Sequence, residues 1–211
     1  LLSDPLRLPL EQRVSTHLGR PWQVARADDM EDASSHPAAV LSDGTYAVFV
    51  KLAEGSDASD RTIREIEGLA ALTTRASVLT PPAIGAVPVK SAGDAAILLV
   101  LEAVVPIPRR RQQWREMGQT LARIHSVKGE RYGFDSHNYW GSLRQDNTPH
   151  AHWLDFFRAC RLAPRLAAAV DSGRLPSDVA ARVERLGERL PDLAGPPVVP
   201  SLLHGDAHHN N

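Results

Sequence analysis

A chain of 211 residues with 43% hydrophobic and 23% charged side chains has an ordinary globular composition, sized for one large domain or two small lobes. Its net charge of −1 excludes the basic field that non-specific nucleic-acid binding needs, and its longest apolar run, AAILLVL at 95–101, is too short for a bilayer, which takes about 20 residues. A single cysteine, Cys160, excludes an intramolecular disulfide framework, and the N-terminal stretch lacks a leader's charged-then-apolar layout, so a cytoplasmic protein is expected; a monomer without membrane or nucleic-acid partners is the accompanying expectation.

In chain order, LEQRVSTHL at 10–18 predicts a helix closed by Gly19 and Pro21. In AAVLSDGTYAVFVKL, Ser42-Asp43-Gly44 separates two β-prone runs, the pattern of a hairpin. Ser59 or Asp60 can cap a helix over 60–73, with Ile63, Ile66 and Ala70 on one face. A passage holding Pro81, Pro82 and Pro88 leads to a buried strand at 95–101. After VVPIP the period changes from two to 3.6, and Trp114, Met117, Leu121 and Ile124 fall on one helical stripe. The run Arg109-Arg110-Arg111 beside it reads as a solvated face. A helix over 151–170 should bend at Pro164, and a third, striped by Val179, Val183, Leu186 and Leu190, should stop at Pro191. Residues 1–103 thus read as a sheet-rich lobe with one helix and 104–211 as a helical lobe, an α+β architecture.

The chain closes on SLLHGDAHHNN. His204, Asp206 and Asn211 have the spacing H-x-D-x-x-x-x-N, that of the protein-kinase catalytic loop, in which the Asp accepts the substrate hydroxyl's proton and the Asn holds Mg²⁺. The separation lets the base face the attacking hydroxyl while a neutral oxygen ligand turns back to the metal. A polar loop in which Asp206 caps local amides fits the same residues. So does a 2-His-1-carboxylate iron site built from His204, Asp206 and His208, although no further long-range ligand stands out upstream. The kinase reading demands a strand lysine to grip the nucleotide's phosphates and a glutamate on the next helix to orient it. Lys51 ends the apolar strand YAVFVKL, and Glu65 lies within the helix that follows.

With these residues the chain resembles the aminoglycoside phosphotransferase and choline kinase superfamily, whose catalytic loop reads HGD-x-H-x-x-N, as in HGDAHHNN. Within it the chain is most similar to the fructosamine kinase (ketosamine kinase) family, through FVKL, REIEGLAAL, YGFDSHNYWGSL, WLDFFRACRLAPRL and SLLHGD. The resemblance implies a bilobal protein-kinase-like fold, with ATP and Mg²⁺ as cofactors. It implies phosphorylation of a sugar hydroxyl on a ketosamine, free or protein-bound, which destabilises the adduct and reverses glycation. In that picture Asp206 is the base, and Asn211 with Asp206 holds the metal. Lys51 clamps phosphate, with Glu65 as its partner, and adenine lies against the backbone of Glu102, Ala103 and Val104. Asn138, Tyr139 and Trp140 match the family's D-N-Y-I-G segment, with His137 in place of its Asp. Together with Trp153, Asp155 and His208 they fall at acceptor-site positions, while His204 braces the loop.

Three departures stand out. The family's nucleotide-covering loop carries glycines, whereas DDMEDASSHPAAVL has none, which leaves Ser34, Ser35 and His36 to offer hydrogen bonds. Ala207-His208 replaces the family's Leu-Trp after HGD. The sequence also ends at Asn211, before the second metal-binding Asp of the family, so a fragment truncated after the catalytic loop is expected. An aminoglycoside- or choline-type phosphotransferase and a non-catalytic kinase-like binding module stand as alternatives.

Overall fold

The computed structural model describes residues 3–30 and 36–207, so Ser34, Ser35, His208 and Asn211 of the expected site lie outside the described residues. Contacts divide the chain into two compact units, residues 1–124 with 204–211, and residues 125–203.

In the first unit, helix α1 (Asp4–Leu18) begins earlier than its apolar period suggests, because a proline in the first turn lacks only an N–H that the helix would leave unpaired. Leu6, Leu10 and Val14, one turn apart, bury one face, and Gly19 ends the helix in the left-handed conformation (φ 66°). The strands β1 (Arg26–Asp29), β2 (Ala38–Ser42), β3 (Ala47–Glu54), β4 (Ala83–Ser91) and β5 (Asp94–Glu102) form one antiparallel sheet in the order β1-β2-β3-β5-β4. The expected hairpin is β2–β3, and the apolar run 95–101 lies in β5, between β3 and β4. Two strands were not expected. β4 contains Pro88, which a sheet accepts because β4 is an edge; β1 is the other edge and is exposed along its length. On one face of the sheet Leu41, Val48, Val50, Leu52, Leu98 and Val100 join the side chains of α1 and Trp22 in the main core.

Helix α2 (Ala58–Ala76) packs against β3, β4 and β5. Asp57, not Ser59 or Asp60, occupies the cap position, and it makes no side-chain capping bond. The buried residues are Ala58, Thr62, Ala71 and Ala76, while Ile63 of the expected stripe is exposed. Small side chains let the helix approach the sheet closely, so its contact face is not its most apolar one. Helix α3 (Arg111–Ser126) forms as expected, although Ile124 alone of its stripe is fully buried and Trp114 lies exposed under the Arg109 guanidinium, 5.8 Å from the ring centre.

In residues 125–203 a short hairpin, β6 (Asn138–Trp140) with β7 (Leu143–Gln145), turns through Gly141 at φ 59°. Helices α4 (Trp153–Phe157) and α5 (Ala163–Asp171) are continuous through a π-helical turn at Arg158–Leu162. The expected disturbance at Pro164 is therefore a widened turn just ahead of it, since proline gives its preceding turn no N–H to bond. Helix α6 (Ser177–Glu188) buries Ala180 and Gly187 rather than Leu186, and Pro191 opens α7 (Leu190–Leu193) instead of ending the helical run. At Gly187 an added Cβ would stand 3.1 Å from Leu162 Cδ2, and Arg158 Nη2 donates to the Gly187 carbonyl at 2.7 Å. The apolar run ahead of the HGD motif forms no named strand. It pairs briefly through Pro200 O and Leu202 N with Gly129 N and Val127 O, and Leu203 is exposed.

Candidate active site

Lys51 and Glu65 meet. Because side chains alternate along a strand, the face of β3 that buries Val48, Val50 and Leu52 toward α1 turns Lys51 to the other side. There its cross-strand neighbours are Ala38 and Leu99. Glu65 reaches it from α2, and Lys51 Nζ donates to both carboxylate oxygens, at 2.7 Å to Oε1 and 2.5 Å to Oε2. The side chains are 22% and 40% exposed, and an ion pair so placed contributes only about 0–1 kcal/mol to stability. Its consequence is therefore orientation: a lysine on a rigid strand is held at one point with one ammonium proton left for an anion.

Around the pair stand two residues of which only one figured in the sequence reading. The His36 ring Nε2 lies 3.2 Å from Arg61 Nη1, and Arg61 also bonds the Glu54 carbonyl and pairs with Asp57 at 3.3 Å. Burial first, then the charges of Lys51 and Arg61, hold the His36 imidazole below its ordinary pKa, against the opposing pull of Glu65. Arg61 had no signal in the sequence beyond its place on α2.

At the end of β5 the expected adenine-facing segment has two of its backbone donors committed. Glu102 N–H bonds Pro82 O at 2.9 Å and Ala103 N–H bonds Ala47 O at 3.1 Å. A base lying there has to be read by carbonyls or by groups from Val104 onward, and Val104 is exposed. Asp206 is exposed on the segment that follows Leu203, and its N–H points to His204 Nδ1 at 3.4 Å. A carboxylate and a side-chain amide, which the sequence offers at Asp206 and Asn211, are hard-oxygen donors of the kind that Mg²⁺ selects. No cluster of three or more His, Cys, Asp or Glu side chains suited to a metal is found among the described residues.

The expected acceptor residues other than His208 fall into two groups in residues 125–203. Asn138, Tyr139 and Trp140 share β6, with Trp140 66% exposed. Trp153 and Asp155 share α4, where the Trp153 ring stacks on Phe157 with centroids 4.9 Å apart. Beneath β6 lies a residue the sequence reading missed: Asn147, 4% exposed. Its Oδ1 accepts from Arg161 Nη2 at 2.5 Å, and its Nδ2 donates to Ser136 O at 3.0 Å and to Asn138 Oδ1 at 3.1 Å. Its backbone N–H bonds His137 Nδ1 at 3.0 Å and its carbonyl accepts from Phe134 N at 3.0 Å. Asp146 beside it makes a turn by accepting from Thr148 Oγ1 (2.6 Å) and N–H (2.9 Å), and these bonds hold its carboxyl below the usual range. Cys160 is buried 3.7 Å from His150 Nε2, and burial pushes its thiol up, which suits a core side chain rather than a nucleophile.

The profile of the fructosamine kinase family matches residues 9–211. A probable ketoamine kinase of Vibrio parahaemolyticus is 25% identical over 203 residues, covering 96% of this chain and 68% of the relative. Another of that description, from Escherichia coli K12, is 30% identical over 141 residues, which cover 66% of this chain and 47% of the relative. Two solved structures provisionally named fructosamine-3-kinase share the fold. That from Haemophilus somnus has a TM-score of 0.74 at 21% identity, covering 91% of this chain and 63% of its own. That from Thermobifida fusca has a TM-score of 0.73 at 27% identity, covering 93% and 66%. The chain therefore spans from about half to two thirds of the length of these proteins. The kinase-like α+β fold expected from the sequence is the fold of the molecule.

Proposed function

Since the chain belongs to the fructosamine kinase family, we propose that the whole protein transfers a phosphoryl group from ATP to a sugar hydroxyl of a ketosamine, free or protein-bound. The observation that carries this reading is the bidentate Lys51–Glu65 contact, a strand lysine held by a helix glutamate in the arrangement that grips a nucleotide's phosphates. In this reading residues 1–103 hold the nucleotide and residues 104–211 the acceptor. Lys51 meets the phosphates, the backbone from Glu102 to Val104 borders the base, and Ser34 and Ser35 cover the nucleotide. The Asp206 carboxylate takes the proton of the attacking hydroxyl. Asn138, Tyr139, Trp140, Trp153, Asp155 and His208 line the acceptor's path. Mg²⁺, held by Asp206 and Asn211, supplies charge that offsets the phosphates. Phosphorylation makes the sugar–amine adduct labile, so the reaction reverses glycation. No helix of the described residues is long and apolar enough to cross a membrane; in this reading the enzyme acts in the cytoplasm as a monomer.

The test is phosphate transfer from Mg-ATP to a ribulosamine or fructosamine by the whole protein and by its Asp206→Asn variant. The variant should lose about 10²–10⁴ in rate, the usual contribution of a positioned acid–base group. Transfer to an aminoglycoside or amino alcohol, with none to ketosamines, would refute the acceptor and keep the chemistry. No transfer and no Mg-ATP binding would leave a binding module.

A further inference from the structure

The amide of an asparagine has a donor end and an acceptor end, and which end faces a ligand is set by what the other end meets. Asn138 is exposed on β6, so the orientation of its amide decides whether it offers a ligand a proton or a lone pair. Two side chains and a backbone carbonyl fix that choice. Arg161 is a donor only, so the Asn147 atom facing its Nη2 at 2.5 Å has to be the oxygen. With Oδ1 turned to Arg161, both hydrogens of Asn147 Nδ2 are spent, one on Ser136 O at 3.0 Å and one on Asn138 at 3.1 Å. The Asn138 atom that meets this donor has to be Oδ1. Its Nδ2, which has no protein partner among the described residues, is what remains for a ligand.

We infer that Arg161 and Asn147 are positioning residues that lock Asn138 as a hydrogen-bond donor toward an oxygen lone pair of the phosphate acceptor. That a phosphate acceptor meets Asn138, and that it is a ketosamine, rest on the function proposed above; the fixed orientation of the amide does not. The surroundings are built to keep it in one state. Arg161 sits on the π-helical turn, its guanidinium 4.6 Å from the Phe156 ring centre and bonded to the Asp146 and Cys160 carbonyls, so it has little freedom to retreat. Asn147 is likewise tied through its own backbone to His137 and Phe134. A buried amide with every polar atom satisfied has no cheap alternative rotamer, because turning it would face a donor with a donor and a carbonyl with an oxygen.

Two substitutions separate the lock from a merely structural node. Asn138→Asp keeps an acceptor toward Asn147 and replaces the outward donor by an anionic oxygen. The KM for the ketosamine should rise about tenfold or more, with the KM for ATP unchanged. Asn147→Asp keeps the Arg161 contact but removes both donors, so the Asn138 amide turns its Nδ2 inward. The KM should rise by a similar factor. The lock is also read without turnover: ¹⁵N-labelled protein should show the Asn138 side-chain NH₂ exchanging fast with solvent in the wild type and protected in Asn147→Asp. If Asn147→Asp does not fold, the exposed Asn138→Asp variant still decides by the split between the two KM values. Unchanged ketosamine KM in Asn138→Asp, or an Asn138 NH₂ equally exposed in both proteins, would overturn the inference. A wild type that ignores ketosamines yet shows the exchange difference would sink the proposed substrate and leave the lock standing.

Discussion

In residues 1–124 apolar side chains from Leu6 to Ile124 are buried in steps that follow the strand and helix periods, whereas in residues 125–203 the fully buried apolar side chains are only Cys160 and Ala180. The second region is tied instead around Asn147, which joins the loop at 133–138 to the π-helical turn. A sheet core is redundant: each side chain touches many, and removing one leaves the rest packed. A polar node is not, since each hydrogen bond has one partner and an orphaned buried group costs about 1–3 kcal/mol. The first region should therefore yield by degrees under substitution and the second abruptly.

The largest expected effect is at Gly133, held at φ 124°, where an added Cβ would lie 2.5 Å from Asn147 O and 3.0 Å from Pro149 Cα. Both obstacles are backbone and cannot swing aside. Gly133→Ala should cost about 3–4 kcal/mol, the sum of overpacking and a backbone that L residues avoid. Amide exchange should show the loss confined to residues 125–203. A cost below about 1 kcal/mol would mean that the node yields as softly as the sheet. Next comes Val50→Ala, fully buried between Ala39 and Val100 on the core face. Two methyl groups lost without collapse should cost about 2 kcal/mol in urea unfolding, with the second region's exchange unaltered.

The same contrast explains what could be read in advance. The β2–β3 hairpin, β5 and α3 were legible because apolar spacing and turn residues state them directly. β4 was not, because Pro88 reads as a breaker until the strand is known to be an edge. The stripe Ile63, Ile66 and Ala70 marked the wrong face of α2, since Ala58, Thr62 and Ala71 make the close approach and small residues carry little apolar signal. At the site, Lys51 and Glu65 were legible from their order and elements, and the structure joins them. Asn147 was not, for a buried asparagine has no period. In QDNTP it looks like any turn, and the turn is in fact made by its neighbour Asp146. The one hint was an arginine, Arg161, among apolar helix residues.

Acid should act on both regions through one carboxylate each. Arg20, with the N–H groups of Tyr46 and Thr45, holds the Asp43 carboxyl well below the usual carboxylate range at the β2–β3 turn. Thr148 does the same more weakly for Asp146. A folded pKa below the unfolded one means the unfolded chain binds protons first. The stabilisation is therefore complete above about pH 4 and is lost as pH falls through that value toward the folded pKa. Asp43→Asn should flatten the acid limb of stability for residues 1–124 alone, and Asp146→Asn that of residues 125–203 alone, read by exchange between pH 5 and 2. Each limb responding to the other residue would mean that the regions unfold as one.

The smallest effect on stability should come from the residue pair on which the proposed function rests. Glu65→Gln removes a carboxylate 2.5 Å from Lys51 Nζ, yet the pair is partly exposed, so unfolding free energy should move by less than about 1 kcal/mol. Its consequence should surface only with ligand. If Mg-ATP at 100 times its Kd stabilises the wild type by about 2.7 kcal/mol, a tenfold weaker grip by an unoriented Lys51 leaves about 1.4 kcal/mol at the same concentration. A thermal-shift titration gives both numbers. An unliganded loss well above 1 kcal/mol would make the pair a structural tie of the sheet unit. An undiminished Mg-ATP shift in a stable variant would show that Glu65 does not set the lysine's position. The expected combination, little change alone and a halved response with nucleotide, is what an orientation device on a redundant scaffold should give.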